Sequence, residues 1–191
     1  NLWARQGHEV TIVTSRHGSL PADTTQNNLR IIRLEVGRRS VSRGRVREML
    51  RYMVRSRATC EAVHDQVRPD LVVAFITLPS GVAPAHLRSR YGVPLVTELR
   101  GGDVPGFWPD HLNGFHLLTK PWIRSIWNAS SLVIANSRGL AELAARTSPH
   151  IHFKTIPNGV DTQVFKPSSQ KSTEDPKKRP RRGSAGRRAP R

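Results

Sequence analysis

Ile156-Pro157-Asn158-Gly159-Val160-Asp161-Thr162-Gln163-Val164-Phe165-Lys166-Pro167 decides how this chain is read. An apolar run stops at Ile156. Asn158-Gly159 favours positive φ and a tight reversal. Phe165 reads as an apolar anchor, and Pro167 discourages continuation into a helix. The stretch is therefore a strand end followed by an ordered exit loop, and a second folded unit is expected beyond it. Ser168 to Arg191 follows instead, rich in Lys, Arg, Pro, Gly and Ser and without hydrophobic periodicity. We expect residues 168–191 to be a disordered basic tail and residues 1–167 to form one incomplete domain.

Working back from Ile156, strands and helices alternate. Ile151–Ile156 and Leu132–Ala135 (LVIA) read as strands, with Ser137 capping a short helix between them. His111–Asn128 reads as a helix with a break at Pro121. Val93–Leu99 is a strand that runs into the glycine-rich loop Arg100–Gly106. Ser80–Tyr91 is a helix ended by Gly92, and Leu71–Phe75 (LVVAF) is an apolar strand. Val46, Met49, Leu50, Met53, Cys60, Val63 and Val67 recur at helical spacing over about 43–67, which predicts a long amphipathic helix with those residues facing the core. Leu29–Leu34 (LRIIRL) and Glu9–Thr14 (EVTIVT) are strands, and Asn1–Gln6 is the end of a helix with Gly7 past its last turn. The strands are apolar throughout, the mark of a parallel sheet covered on both faces. In such sheets ligands bind beyond the carboxyl ends of the strands.

The 191 residues carry a formal net charge of +17. Roughly +7 of this lies in the tail and roughly +10 in the body, an excess that favours polyanionic partners without choosing among them. Cys60 is the only cysteine, so no disulfide forms within the chain and no cysteine zinc set exists. We read it as a small core-facing residue, the alternative being a thiol acidified by nearby arginines. No apolar run is long enough to span a bilayer, and we expect no signal peptide. Cytoplasmic residence is the expectation. The opening at Asn1, inside a helix end, leads us to expect a fragment of a longer protein.

Several segments, in order, carry a resemblance. Leu2 to Thr14 (LWARQGHEVTIVT) is similar to an L-x-x-x-G-H-E-V-x-V-V-T pattern. Arg68-Pro69-Asp70-Leu71-Val72-Val73 is similar to a P-D-V-V strand, and Pro94 to Asp103 (PLVTELRGGD) to P-x-V-x-x-x-R-G-x-D. Ala135-Asn136-Ser137 and the Ile156–Pro167 stretch complete the set. Together they resemble the N-terminal domain of family-four glycosyltransferases of the GT-B fold, over nearly all of residues 1–167. The resemblance implies half of a GT-B fold, a Rossmann-like parallel sheet with helices on both faces. Two departures stand out. The family's first strand is not expected within these residues, and without it the strands at 9–14 and 71–75 would lose their shared neighbour. The donor-binding C-terminal domain is not expected within these residues.

The resemblance implies transfer of a sugar from a nucleotide donor to a saccharide or lipid-linked acceptor, with retention of configuration, no bound metal and no cofactor. It places such enzymes in polysaccharide or glycolipid synthesis. This chain carries the acceptor side and is expected to be inactive alone, needing the missing domain or a partner chain. Site candidates are Arg100, Gly101, Gly102 and Asp103, Asn136 and Ser137, and Asn158, Gly159 and Asp161. Asp103 is the one candidate for a catalytic role, orienting an acceptor hydroxyl, or else it caps the local turn. Glu98 reads as a structural ion-pair partner, and Thr14, Ser15, Arg16, Ser19 and Leu20 are a weaker set at another strand exit. Trp108-Pro109 is a candidate for stacking on a sugar.

Arg43, Arg47, Arg51 and Arg55 recur every four residues and form one basic stripe. It is either a solvated face or a means of docking, by charge and without deep insertion, on an anionic inner membrane surface. His150 and His152 are two apart on a strand and read as solvated, because no third metal ligand is evident. The alternatives to the transferase reading are a non-catalytic remnant and a polyanion-binding module using the tail. Specific nucleic-acid recognition is not expected, since the tail holds no recognition motif or stacking aromatic.

Overall fold

A computed structural model describes residues 2–40, 44–107 and 113–166, the side chains of 113–116 excepted. The tail, Arg43 and Trp108-Pro109 thus lie outside the described residues. By internal contacts the chain forms two units, Asn1–Asn158 and Gly159–Arg191.

The first unit holds twelve elements in α/β order: α1 (Leu2–Arg5), β1 (Val10–Ser15), β2 (Asp23–Gln26), β3 (Leu29–Leu34), α2 (Val46–Val67), β4 (Val72–Phe75), α3 (Val82–Tyr91), β5 (Leu95–Leu99), α4 (Asn113–Ala129), β6 (Leu132–Ala135), α5 (Arg138–Thr147) and β7 (Phe153–Thr155). The four-stranded sheet runs β4-β5-β6-β7 and is parallel throughout. The three-stranded sheet runs β1-β3-β2. Among the described residues β1 and β4 are not paired with each other.

One strand went unread. β2 pairs antiparallel with β3 through the turn at Asn27, whose φ is 51°. Its sequence, DTTQ, offers no apolar run, and its hold is the one backbone ladder to β3 plus Arg30, which forks onto Asp23 at 2.7 Å. That guanidinium holds the Asp23 carboxyl below its usual value, by hydrogen bonding first.

The core lies between the four-stranded sheet and α3, α4 and α5. Leu99, Val104, Ile123, Trp127, Val133, Ala135 and Phe153 belong to it. Trp127 is 1% exposed and meets Phe153 edge-on at 5.3 Å, so the aromatic residues of α4 include a packing keystone. Burying such an indole stabilises the fold by about 3 kcal/mol.

α2 sits differently from its apolar pattern. The residues that face inward recur every four: Glu48, Tyr52, Ser56, Cys60 and His64, with Glu48, Ser56 and His64 buried. Val46, Leu50 and Val67, expected inside, are 57%, 50% and 45% exposed. The polar line is accommodated because each member is paired. Glu48 accepts from the Arg45 N–H at 3.1 Å and Tyr52 Oη donates to the Val13 carbonyl at 3.0 Å. Ser56 Oγ donates to the Met53 carbonyl, and His64 stacks on Tyr91 with centroids 3.9 Å apart. Burial pushes the Cys60 thiol up to about 11, which favours the packing role over an acidified thiol.

In the second unit, Asp161 accepts from the Gln163 N–H at 2.8 Å and from the Val164 N–H at 3.4 Å, which makes it the hinge of a local turn. Phe165, expected as an anchor, is 69% exposed.

Candidate functional site at the strand exits

Parallel strands deliver their carboxyl ends to one edge of a sheet. Register sets Phe75 beside Glu98, Leu99 beside Ala135, and Ala135 beside Thr155. The loops that follow therefore meet in the order Ile76-Thr77, Arg100–Phe107, Asn136-Ser137 and Ile156–Asn158. Most of the segments singled out from sequence are brought together here.

Asp103 organises the edge. It is 6% exposed, and its carboxylate accepts four hydrogen bonds from the protein. Oδ2 takes the Thr77 N–H at 2.8 Å and the Thr77 hydroxyl at 2.9 Å. Oδ1 takes the N–H groups of Arg100 at 3.0 Å and Gly101 at 3.1 Å. Thr77 Oγ1 in turn accepts from Trp127 Nε1 at 2.8 Å. A carboxylate has about four acceptor sites, so Asp103 has none left for an incoming hydroxyl. Of its two readings, the geometry favours the turn cap. It ties the β5 loop to the β4 loop and both to the core.

With the loop fixed, Arg100 is aimed. Its Nη2 lies 3.0 Å from Glu98, its Nη1 donates to Asn158 Oδ1 at 2.8 Å, and its guanidinium lies over the Phe75 ring at 5.3 Å from the centroid. Glu98 thus takes the ion-pair role read for it. Gly101 adopts φ 111°, and a Cβ there would stand 2.8 Å from the Phe107 ring. Only glycine fits that approach. Gly102 is exposed at the loop tip. Phe75, Ile76 and Phe107 are 44%, 38% and 43% exposed, so apolar faces border the arginine. Ile76 has φ 76°, a strained conformation for a β-branched residue, at the exit of β4.

Asn136 is half-buried, and Ser137 caps α5 by accepting from the Leu140 N–H at 3.3 Å. Asn158 belongs to this unit and reaches Arg100, whereas Gly159 and Asp161 belong to the second unit. The edge as a whole offers a guanidinium, amide and hydroxyl groups and three partly exposed apolar side chains. That mixture suits a polyhydroxylated ligand with apolar faces.

A profile for Glycosyltransferase Family 4 matches residues 1–164. The chain belongs to that family. Its fold is similar to sucrose-phosphate synthase from Thermosynechococcus elongatus, with TM-score 0.70 and 19% identity over 86% of this chain and 41% of that one. A second structure of that synthase gives TM-score 0.62 and 18% identity over 84% of this chain and 82% of the other. The chain thus spans about two fifths of the first synthase chain. No curated protein matches it.

Other candidates of this family-four domain fall away from the strand exits of the four-stranded sheet. Ser15 accepts from Arg38 at 2.8 Å, and Arg16 donates to the Leu20 carbonyl at 2.8 Å, so that set braces its own loops. His150 meets Asn128 Oδ1 at 2.8 Å and lies before β7, not on it. Among the described residues no group of three or more His, Cys, Asp or Glu is arranged to hold a metal ion. Arg55 donates to the Glu35 carbonyl, while Arg47 and Arg51 of the stripe are exposed on α2. No helix among the described residues is long and apolar enough to cross a membrane.

Sequence reasoning did not single out Phe75, and it gave Thr77, within the strand exit Ile76–Gly81, no partner. Thr77 lies 26 residues before Asp103, and nothing in its neighbourhood announces the partner.

Proposed function

We propose that this domain forms the acceptor side of a sugar-transfer cleft, with a nucleotide-sugar donor held by a separate domain. The observation that carries the reading is Arg100, held by Glu98 and Asn158 over Phe75 at the carboxyl edge of the sheet. Its role is to bind and orient. The guanidinium donates to acceptor oxygens, and Phe75 and Phe107 offer surfaces for the apolar face of a sugar ring. Asp103 keeps the loop rigid, which limits the entropy lost on binding. Charge at the transferred phosphate would be met by the donor's own domain. The chain alone is therefore expected to bind acceptor saccharides weakly and to turn nothing over.

The test is saturation-transfer NMR with a panel of saccharides and nucleotide sugars. Expected is contact with saccharides that falls at least fivefold in Arg100→Gln, with little signal from nucleotide sugars. Tight nucleotide-sugar binding, or turnover by the isolated chain, would overturn the assignment of sides.

The same reading extends to a lipid-linked acceptor at an anionic bilayer. Val46, Leu50 and Val54 on α2 are joined in exposure by Leu117, Leu118 and Trp122 on α4, at 75%, 82% and 55%. Arg47 and Arg51 interleave with the first set. Apolar residues edged by arginine fit a lipid interface better than charge alone does. Co-flotation with phosphatidylserine vesicles should be lost in Val54→Glu/Leu118→Glu. Unchanged flotation in that variant would remove the apolar contribution.

A further inference from the structure

Four arginines gather where β3 hands over to α2. Arg39 lies in the connection, Arg45 directly precedes the helix, and Arg47 and Arg51 are on its first two turns. With Gly37 and Glu48 they line an open cavity of about 190 Å³. Several arginines elsewhere have protein partners: Arg30 with Asp23, Arg100 with Glu98, Arg38 with Ser15, Arg55 with the Glu35 carbonyl. Among the described residues, none of the four cavity guanidiniums has a hydrogen bond or ion pair. The one carboxylate there, Glu48, is buried and already accepts the Arg45 N–H.

Four like charges around one small space repel one another unless an anion sits among them. The backbone also makes room for the cluster. Gly37 has φ 75°, and a Cβ there would stand 3.0 Å from Arg51 Nη1. The cavity is smaller than the ~300–1,000 Å³ of sites for drug-sized ligands, so it suits a compact group. Guanidinium forks match phosphoryl oxygens two at a time.

We propose that this cavity binds a phosphoryl dianion, a phosphomonoester or a diphosphate. The site is built by the connection after β3 and by the first turns of α2, and Arg100 does not line it, so it does not rest on the sugar-transfer reading. The dianion's source is either a soluble phosphate compound or a lipid headgroup.

Titration calorimetry of the full chain with inorganic pyrophosphate at constant ionic strength tests the soluble source. Flotation on phosphatidylcholine vesicles doped with phosphatidic acid, against the same vesicles doped with phosphatidylserine, tests the lipid source. Each is run on the native chain, on Arg45→Gln/Arg47→Gln, and on Arg124→Gln as a charge control on α4, with circular dichroism to confirm folding. Expected is saturable binding weakened roughly tenfold or more by the paired change and less than about twofold by the control. Pyrophosphate binding with that pattern supports a soluble ligand. A preference for phosphatidic acid with that pattern, without pyrophosphate binding, supports a headgroup. Equal weakening by Arg124→Gln, equal attraction to both lipids without pyrophosphate binding, or no binding in either arm overturns the proposal.

Discussion

The carboxyl edge of the four-stranded sheet and the first turns of α2 both carry arginine, and they treat it in opposite ways. Arg100 is held by a carboxylate, an amide oxygen and an aromatic face. Arg39, Arg45, Arg47 and Arg51 have no such partner among the described residues. A guanidinium with partners has a fixed position, and its removal disturbs the fold. One without partners contributes little to folding and remains available to whatever arrives. The first region is built to present geometry, the second to present charge.

The comparison is broken most directly at Asp103. Asp103→Ala would strand the N–H groups of Thr77, Arg100 and Gly101, and should cost about 3 kcal/mol of stability, measured by urea unfolding. A loss under about 1 kcal/mol would mean that water replaces the carboxylate and the edge is not internally held. Gly101→Ala comes next, at about 2 kcal/mol, from its positive φ and the Phe107 ring. Combining it with Phe107→Ala should recover part of that loss in a double-mutant cycle, and strict additivity would show that the ring is not the obstacle.

α2 supplies a test in pH. The Cys60 thiol is raised from 9.0 to about 11 in the folded chain, so folding holds a proton that the unfolded chain has lost. Its contribution is complete below pH 9 and is lost as pH climbs to about 11. Relative to Cys60→Ala, stability should fall by about 2 kcal/mol across that window. Tyr52, raised to about 12 chiefly by burial and further by the Cys60 charge, adds to the decline in both proteins, but less in Cys60→Ala, so part of its shift stays in the difference. Parallel curves for the two proteins would mean that the thiol is solvated. The smallest effect is expected from Arg47→Gln, within about 0.5 kcal/mol of the native chain. A loss of about 1 kcal/mol or more would give Arg47 a structural partner and sharpen the contrast away.

Much of this was legible in the sequence because the signals are local. Gly92, at φ 74°, ends α3 where the pattern placed it, and Ser137 caps α5. Apolar runs at 72–75, 95–99 and 132–135 became the paired strands of the parallel sheet. What could not be read depends on pairing over distance. The apolar count on α2 pointed Val46, Leu50 and Val67 inward, yet the buried line is Glu48, Ser56 and His64, each satisfied by a neighbour that the pattern does not reveal. β2 has no hydrophobic signature and exists because β3 offers it a free ladder. Asp103 was singled out for its place at a strand exit. Its capping role needed Thr77 and Trp127, which come from other segments. The four-residue spacing of the arginine stripe named Arg47 and Arg51, but Arg39 and Arg45 joined them only through the fold.

Among the described residues β1 and β4 each have a hydrogen-bonded neighbour on one side only. Such flanks are templates on which a second molecule can assemble strand by strand. At low ionic strength, two copies that each carry +17 repel before their backbones can meet. Salt shortens the reach of that repulsion to about 10 Å at 0.1 M and to about 3 Å at 1 M. This protein should therefore be most soluble in dilute buffer and should precipitate as salt is added, the reverse of ordinary salting-in.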